Sequence, residues 1–259
     1  MALFRGHARS IASYRASFAL ELATNVFATV MDVLTVLVLF RVSRTLGGFT
    51  LREALLMVGF SSCGFAAADL VMGNVDRIKF YVRTGMLDAL LVRPLATLPQ
   101  LVLMDLPLRK LTRVAFGASV LVIAAALADV DWTPGRVVLV VAAPLAGMVF
   151  FASIFVASAA VSFWWVETGE LGNAFTYGGR DFTSYPITVY SGWFRRLFAY
   201  GMGFAFVAYY PALALLGRDD PLGLPPWVGY ASPAVAVVAA TLAATVWRIG
   251  IRHYRSTGS

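Results

Sequence analysis

Residues 137–163 read VVLVVAAPLAGMVFFASIFVASAAVSF, 27 positions without one Asp, Glu, Lys or Arg. As a helix this run is about 40 Å long, more than the roughly 30 Å of a bilayer's hydrocarbon core. Water cannot solvate such a stretch, so it sets the class of the fold. Working outward, five further apolar segments fall at residues 18–40, 51–72, 111–128, 197–216 and 233–251. Six helices of roughly 20 residues use about 120 positions and leave about half the chain for loops and interfacial helices. Composition agrees, with 59% hydrophobic and 14% charged residues, against about 25% charged in an ordinary soluble domain. The pattern predicts an all-α, polytopic six-helix transmembrane bundle forming one domain over residues 1–259. A soluble enzyme, a disulfide scaffold and a disordered chain are excluded.

The flanks of the segments predict orientation. On one side lie Arg5, Arg9 and Arg15; Arg77, Lys79, Arg83, Arg93, Arg109, Lys110 and Arg113; Arg180, Arg195 and Arg196; and Arg248, Arg252 and Arg255. On the other lie only Arg41, Arg44, Arg52, Arg136 and Arg218. The positive-inside rule then puts both termini in the cytoplasm. That bias also accounts for the net charge of +7 without nucleic acid as a partner. Residues 1–17 interleave these arginines with Phe4, Ile11 and Tyr14, the pattern of an amphipathic interfacial helix. In the turn-rich loop after residue 216, Trp227 suits the headgroup region.

Several chemistries are absent. Neither lysine, Lys79 or Lys110, is followed by Ser or Thr, so the chain carries no phosphate-binding P-loop. The two histidines, His7 and His253, lie near the ends, and the single cysteine, Cys63, sits in an apolar run; no zinc site or internal disulfide follows. The run Gly59-Phe60-Ser61-Ser62-Cys63-Gly64 lacks the last glycine spacing of a nucleophile elbow and reads as small residues for close helix packing. Glu167, Glu170 and Asp181 share their stretch with Arg180 and read as loop charges.

Two features remain. Between the second and third segments, residues 73–98 are too polar to span. Val75, Ile78, Val82, Leu90 and Leu91 alternate there with Asp76, Arg77, Lys79, Arg83 and Asp88, which predicts a surface helix over 75–92 closed by Pro94. A plain connector and a docking helix for a soluble partner fit this pattern equally. The second feature is charge within the spans. Glu21, Asn25 and Asp32 fall within about 40° of one helical face, and Asp69 and Arg113 lie at about the depth of Glu21. Intramembrane carboxylates face a bundle interior, a partner or a wet cavity. They read either as an ion-paired collar or as a gate that accepts cationic or polar substrates. Phe204, Phe206, Tyr209 and Tyr210 read as helix packing or as the lining of an amphiphile pathway.

The run Gly85-Met86-Leu87-Asp88-Ala89-Leu90-Leu91-Val92-Arg93-Pro94-Leu95 resembles a signature of membrane subunits of type-2 ATP-binding-cassette exporters. It is most similar to the short six-span branch associated with drug, antibiotic or viologen export. Phe204–Ala212 and the ending Trp247-Arg248-Ile249-Gly250-Ile251-Arg252-His253-Tyr254-Arg255-Ser256-Thr257-Gly258-Ser259 are similar to the same branch. One departure is Gly203, where relatives commonly carry the proline that imposes a rigid kink. The resemblance implies a permease in a bacterial inner membrane, paired with a second permease chain, identical or not. Separate ABC ATPase subunits would bind ATP and Mg, and this chain would hold no cofactor. Asp76, Arg77, Arg83, Asp88 and Arg93 would then form the ATPase-coupling element. Glu21, Asn25, Asp32, Asp69, Arg113, Phe206, Tyr209 and Tyr210 would be the gate or pathway residues for a hydrophobic or amphiphilic small molecule. An ATP-independent, proton-coupled carrier using Glu21, Asp32 or Asp69 is the competing reading; a lipid-modifying membrane enzyme has no motif in its favour.

Overall fold

The computed structural model describes residues 33–104, 110–165 and 169–254, together with 19, 20, 23, 24, 27, 30 and 31. The interfacial helix expected at 1–17, and Glu21, Asn25 and Asp32, lie outside the described residues. The described chain is all-helical. Its elements are α1 (Val33–Val42), α2 (Leu51–Met72), α3 (Ile78–Arg83), α4 (Met86–Leu91), α5 (Thr97–Met104), α6 (Leu111–Leu127), α7 (Pro134–Val161), α8 (Gly169–Thr183), α9 (Gly192–Arg195), α10 (Tyr209–Leu216) and α11 (Ser232–His253).

Three helical stretches are long and apolar enough to cross a membrane: Leu51–Arg83, Pro134–Val161 and Ser232–His253. A fourth candidate is the pair Gly192–Gly201 and Phe204–Leu216, bent by 60°. The first and third expected segments are present as the shorter apolar helices α1 and α6. Among the described residues, therefore, three or four spans stand on length and composition.

The bundle is built around α2, most of whose residues are buried. Its start is fixed by Glu53, whose carboxylate accepts from the Thr50 backbone N–H at 2.7 Å, half of a capping box. The small residues expected to pack helices closely do so. A Cβ at Gly59 would lie 2.6 Å from Leu121 Cα, and one at Gly117 would lie 2.9 Å from Cys63 Cα. The α2 and α6 backbones therefore touch, the packing that lipid-embedded helices favour. On the other side of α2, Phe65 packs edge-on against Phe151 of α7.

α7 begins at Pro134 behind Thr133, whose hydroxyl accepts from the Arg136 N–H. Its 28 residues make a rod of about 42 Å. It is longer than the hydrocarbon core is thick, and its last turn packs against α11 at Gly250.

Three local expectations need correction. The surface helix expected over 75–92 is broken. Gly73–Arg77 form a 3₁₀ turn continuing α2, α3 follows, and Gly85 at φ +69 separates it from α4. The glycine supplies the left-handed backbone that stops one helix and starts the next.

The stretch 164–196 is not a surface loop but is built into the bundle. At Gly172 a Cβ would meet Ser158 of α7. The hydroxyls of Ser61, midway along α2, and Thr183 share a 2.6 Å hydrogen bond. The Thr188 hydroxyl donates to the Gly47 carbonyl at 2.7 Å in the α1–α2 turn. The segment thus runs from the C-terminal part of α7 to the opposite end of the bundle, and Arg180 belongs to it rather than to a surface loop.

The fifth expected segment bends at Gly203, φ +84. Proline fixes φ near −65° and could not take this conformation; glycine makes the bend by a different backbone route. Pro211 falls in the first turn of α10, where its missing N–H leaves no bond unmade.

At the end opposite Asp69, Arg218 locks the loops. It pairs with Glu53 at 2.7 Å, donates to the Gly48 carbonyl at 2.9 Å and lies 4.5 Å from the centre of the Phe49 ring.

Candidate functional site

Two arrangements collect the residues singled out in the sequence, both toward the end of the bundle where α6 begins and α11 ends. The first is an ion knot. Asp69, with only 4% of its side chain exposed, accepts from Lys110 Nζ at 2.7 Å and from Arg113 Nη1 at 3.2 Å. Lys110 also donates to the Asp69 backbone carbonyl. The expected pairing of Asp69 with Arg113 is present, and Lys110 is an additional, closer partner. Its signal was available: three residues before Arg113, it shares that residue's helical face. α2 and α6 are thus pinned at this end by charge and further along by the Gly59–Gly117 contact. Lys110 and Arg113 keep 22% and 43% of their side chains exposed, so the knot is open on its cationic side.

The second arrangement is a platform formed by α3, α4 and α5 beneath α7 and α11. Its core joins Val75, Ile78, Val82, Leu87, Leu90 and Leu101 to Val156, Phe163 and Trp247. Phe163 and Trp247 meet edge-on at 5.1 Å. The contact is close because Gly250 has no side chain: a Cβ there would lie 2.7 Å from Phe163 and 3.2 Å from the Ala160 carbonyl oxygen.

Polar bonds fix the short helices to one another. Asn74 donates to the Leu101 carbonyl at 2.9 Å, and Gln100 donates to the Leu90 and Leu95 carbonyls. Burial, and after it the Asp88 carboxylate, push the Tyr254 phenol above its ordinary range.

The platform also exposes charge and apolar area. Arg77, Arg83 and Arg93 are exposed, whereas Asp76 is half-buried close to the Asp69–Lys110 knot and Asp88 is half-buried beside Tyr254. Val92 and Leu95 are 86% and 68% exposed. The five expected coupling residues thus lie on one broken hairpin. Its buried side packs on α7 and α11, and its exposed residues include Val92 and Leu95 as well as the three arginines.

The aromatic candidates separate. Phe204 is fully buried, edge-on to Phe150 and Phe182 and stacked on Phe198. Tyr209 and Tyr210 are buried too, and Tyr209 donates to Asp220 at 2.9 Å. These three are packing residues in this conformation. Phe206 alone of the four borders a sizeable apolar cavity, between the bend, α7 and α11. The sequence missed that cavity, and it missed α8, whose buried face is the stripe Gly172, Thr176, Gly179 and Thr183. Among the described residues no cluster of His, Cys, Asp and Glu could hold a metal ion.

The sequence family described as "ABC-2 family transporter protein" matches residues 26–258. This chain belongs to the ABC-2 transporter family. Comparisons with curated proteins and with solved structures gave no match. As an ABC-2 membrane protein the chain is a multi-pass transporter component rather than an enzyme.

Proposed function

We propose that this chain is the permease subunit of an ATP-driven exporter. Two permease chains, identical or not, form the pathway, and separate ABC ATPase subunits bind ATP and Mg and drive it. The observation that carries the reading is the platform. A set of short helices that exposes Val92 and Leu95 on either side of Arg93 and Pro94, with Arg77 and Arg83 exposed on the same segment, suits a soluble partner, since apolar anchors hold it while charges orient it. Its apolar side is packed into α7 and α11, so a push on Arg83, Asp88 or Arg93 moves both long helices as a body, a rigid-element route to inward-facing and outward-facing states. The absence of a P-loop from the sequence fits a motor carried on another chain.

In this reading six helices cross a bacterial inner membrane, the platform and both termini are cytoplasmic, and the cargo is a hydrophobic or amphiphilic small molecule of the drug or antibiotic type. Glu21, Asn25 and Asp32 line the pathway, and the Asp69–Lys110–Arg113 knot is the collar at its cytoplasmic end. The test is co-expression with an ABC ATPase encoded beside this chain, followed by purification on a tag on the permease. Stoichiometric recovery of the ATPase supports the reading. Its loss in Arg83→Glu/Asp88→Lys places the contact on the platform, and failure to recover it with wild-type permease contradicts the reading.

A further inference from the structure

The two ends of the bent pair Gly192–Gly201 and Phe204–Leu216 lie together. Before it, the Thr188 hydroxyl donates to the Gly47 carbonyl; after it, Arg218 donates to the Gly48 carbonyl. Both bonds fall in one turn, at the end of the bundle opposite Asp69. A stretch that leaves and returns at the same end is a re-entrant hairpin and does not cross.

The crossing falls to α8. Near its start a Cβ on Gly172 would lie 3.0 Å from Ser158, close to the C-terminus of α7. Further along, the Ser61 hydroxyl donates to the Arg180 carbonyl at 3.2 Å, and beyond α8 Thr188 reaches Gly47. Ser61 is the eleventh of the 22 residues of α2, about 15 Å from its start. Arg180 and Asp181 therefore stand near the middle of the bundle.

The two faces of α8 differ. Thr176, Gly179 and Thr183 are buried, whereas Tyr177, Gly178 and Asp181 are exposed, and a Cβ at Gly178 would meet nothing within 4 Å. Midway along α6, α7 and α11 the large exposed side chains are apolar, Ile123, Leu145 and Leu242 among them. Where those helices expose a hydroxyl, at Ser119, Thr241 and Thr245, it donates to the carbonyl four residues back, as hydrocarbon requires. A carboxylate has no such escape and is costly in lipid, so this face of α8 meets water or an opposite charge. The face also continues to the ion knot. Tyr177, one turn from Asp181, is within electrostatic reach of Asp69, Asp76 and Arg113 and packs on Phe65 at 5.6 Å. A polar track thus leads along α8 from the end where α6 begins to mid-depth.

We propose that Tyr177 and Asp181 line the water-filled route of the substrate, with Asp181 selecting cationic heads at its midpoint. The proposal rests on the export reading and narrows its cargo to cationic amphiphiles. An aromatic ring and a carboxylate one turn apart suit an organic ammonium group, which the ring attracts through its face and the carboxylate through its charge.

The test uses the full chain with its ATPase partner in phospholipid nanodiscs, in a Cys63→Ser background. Tyr177→Cys and Asp181→Cys should react with a charged methanethiosulfonate, and a long-chain quaternary ammonium compound should protect them. Leu145→Cys and Leu242→Cys, on lipid faces, should stay unlabelled. In proteoliposomes, Asp181→Asn should lower ATP-driven transport of the quaternary ammonium relative to a neutral amphiphile of equal chain length by about fivefold, the effect of one unit charge at about 4 Å in water. Asp181→Glu should restore the ratio.

Three results would overturn the proposal: an unreactive thiol at 181, a disulfide between two copies of Asp181→Cys that excludes the reagent and makes this face a permease contact, or an unchanged ratio in Asp181→Asn with a wild-type elution profile. Should Asp181→Asn misassemble, the labelling pattern decides alone. If 177 and 181 react and are protected while the complex moves no compound on ATP addition, the wet face stands and the export reading fails.

Discussion

Neutralising Asp69 probes how the bundle is held at the end where α6 begins. Its carboxylate is almost wholly buried and bonds Lys110 at 2.7 Å and Arg113 at 3.2 Å. Breaking a fully buried pair costs about 3–5 kcal/mol, because the remaining charge is stranded. Here the stranded charges are the cations, which keep 22% and 43% exposure and recover part of their hydration. A hydrogen bond to a charged group contributes about 1.5–3 kcal/mol. Asp69→Asn, which keeps size and one acceptor, should therefore destabilise by about 2 kcal/mol. Lys110→Met should cost about the same, and Arg113→Gln less, since that cation is the more exposed and the longer bonded. At roughly 2–4 °C per kcal/mol for chains of this size, Asp69→Asn should melt about 4–8 °C lower in tryptophan-fluorescence unfolding of nanodisc samples. The double mutant Asp69→Asn/Lys110→Met should lose about 1–2 kcal/mol less than the sum of the singles, the mark of a direct interaction. An Asp69→Asn protein within about 0.5 kcal/mol of wild type, or strictly additive singles, would refute the collar.

Three further outcomes follow from the geometry. Gly203→Ala places a side chain at φ +84 and within 2.9 Å of Val235; since the left-handed region costs about 1–2 kcal/mol, a comparable loss is expected in thermal unfolding, with Gly203→Pro losing more. Gly250→Leu drives a side chain into Phe163 and the Ala160 backbone and should cost about 1–3 kcal/mol, while uncoupling ATP hydrolysis from transport in the assembled complex. Arg83→Glu/Asp88→Lys should insert and melt like wild type but weaken ATPase binding, read by titration of the labelled ATPase subunit; unchanged binding would make α3–α4 a connector only.

The apolar runs were legible because hydrocarbon accepts little else. Residues 137–163 and 233–251 recur as α7 and α11, and 51–72 as α2 to the residue. The Asp69–Arg113 pair was legible from depth alone, since charges near one end of neighbouring spans seek each other. The break at Gly85 carried the ordinary mark of a glycine inside a helical pattern. α8 was hidden by its polarity. A hydropathy reading passes over it, although Gly172, Thr176, Gly179 and Thr183 recur at spacings of four, three and four, a small-residue stripe that lets a helix lie close against its neighbours. The bend at Gly203 was hidden for a different reason. A left-handed glycine has no composition of its own, and the cavity beside it is a property of three packed elements rather than of any one stretch.

The central claim, that this chain is moved by a partner's ATP hydrolysis, is tested most directly in proteoliposomes containing the permease complex and a fluorescent amphiphile. Transport should begin on addition of ATP and Mg, persist when the proton gradient is collapsed, and vanish when the ATPase subunit is left out. Transport driven by an imposed proton gradient, without ATP and without the ATPase, would contradict the account and restore a proton-coupled carrier.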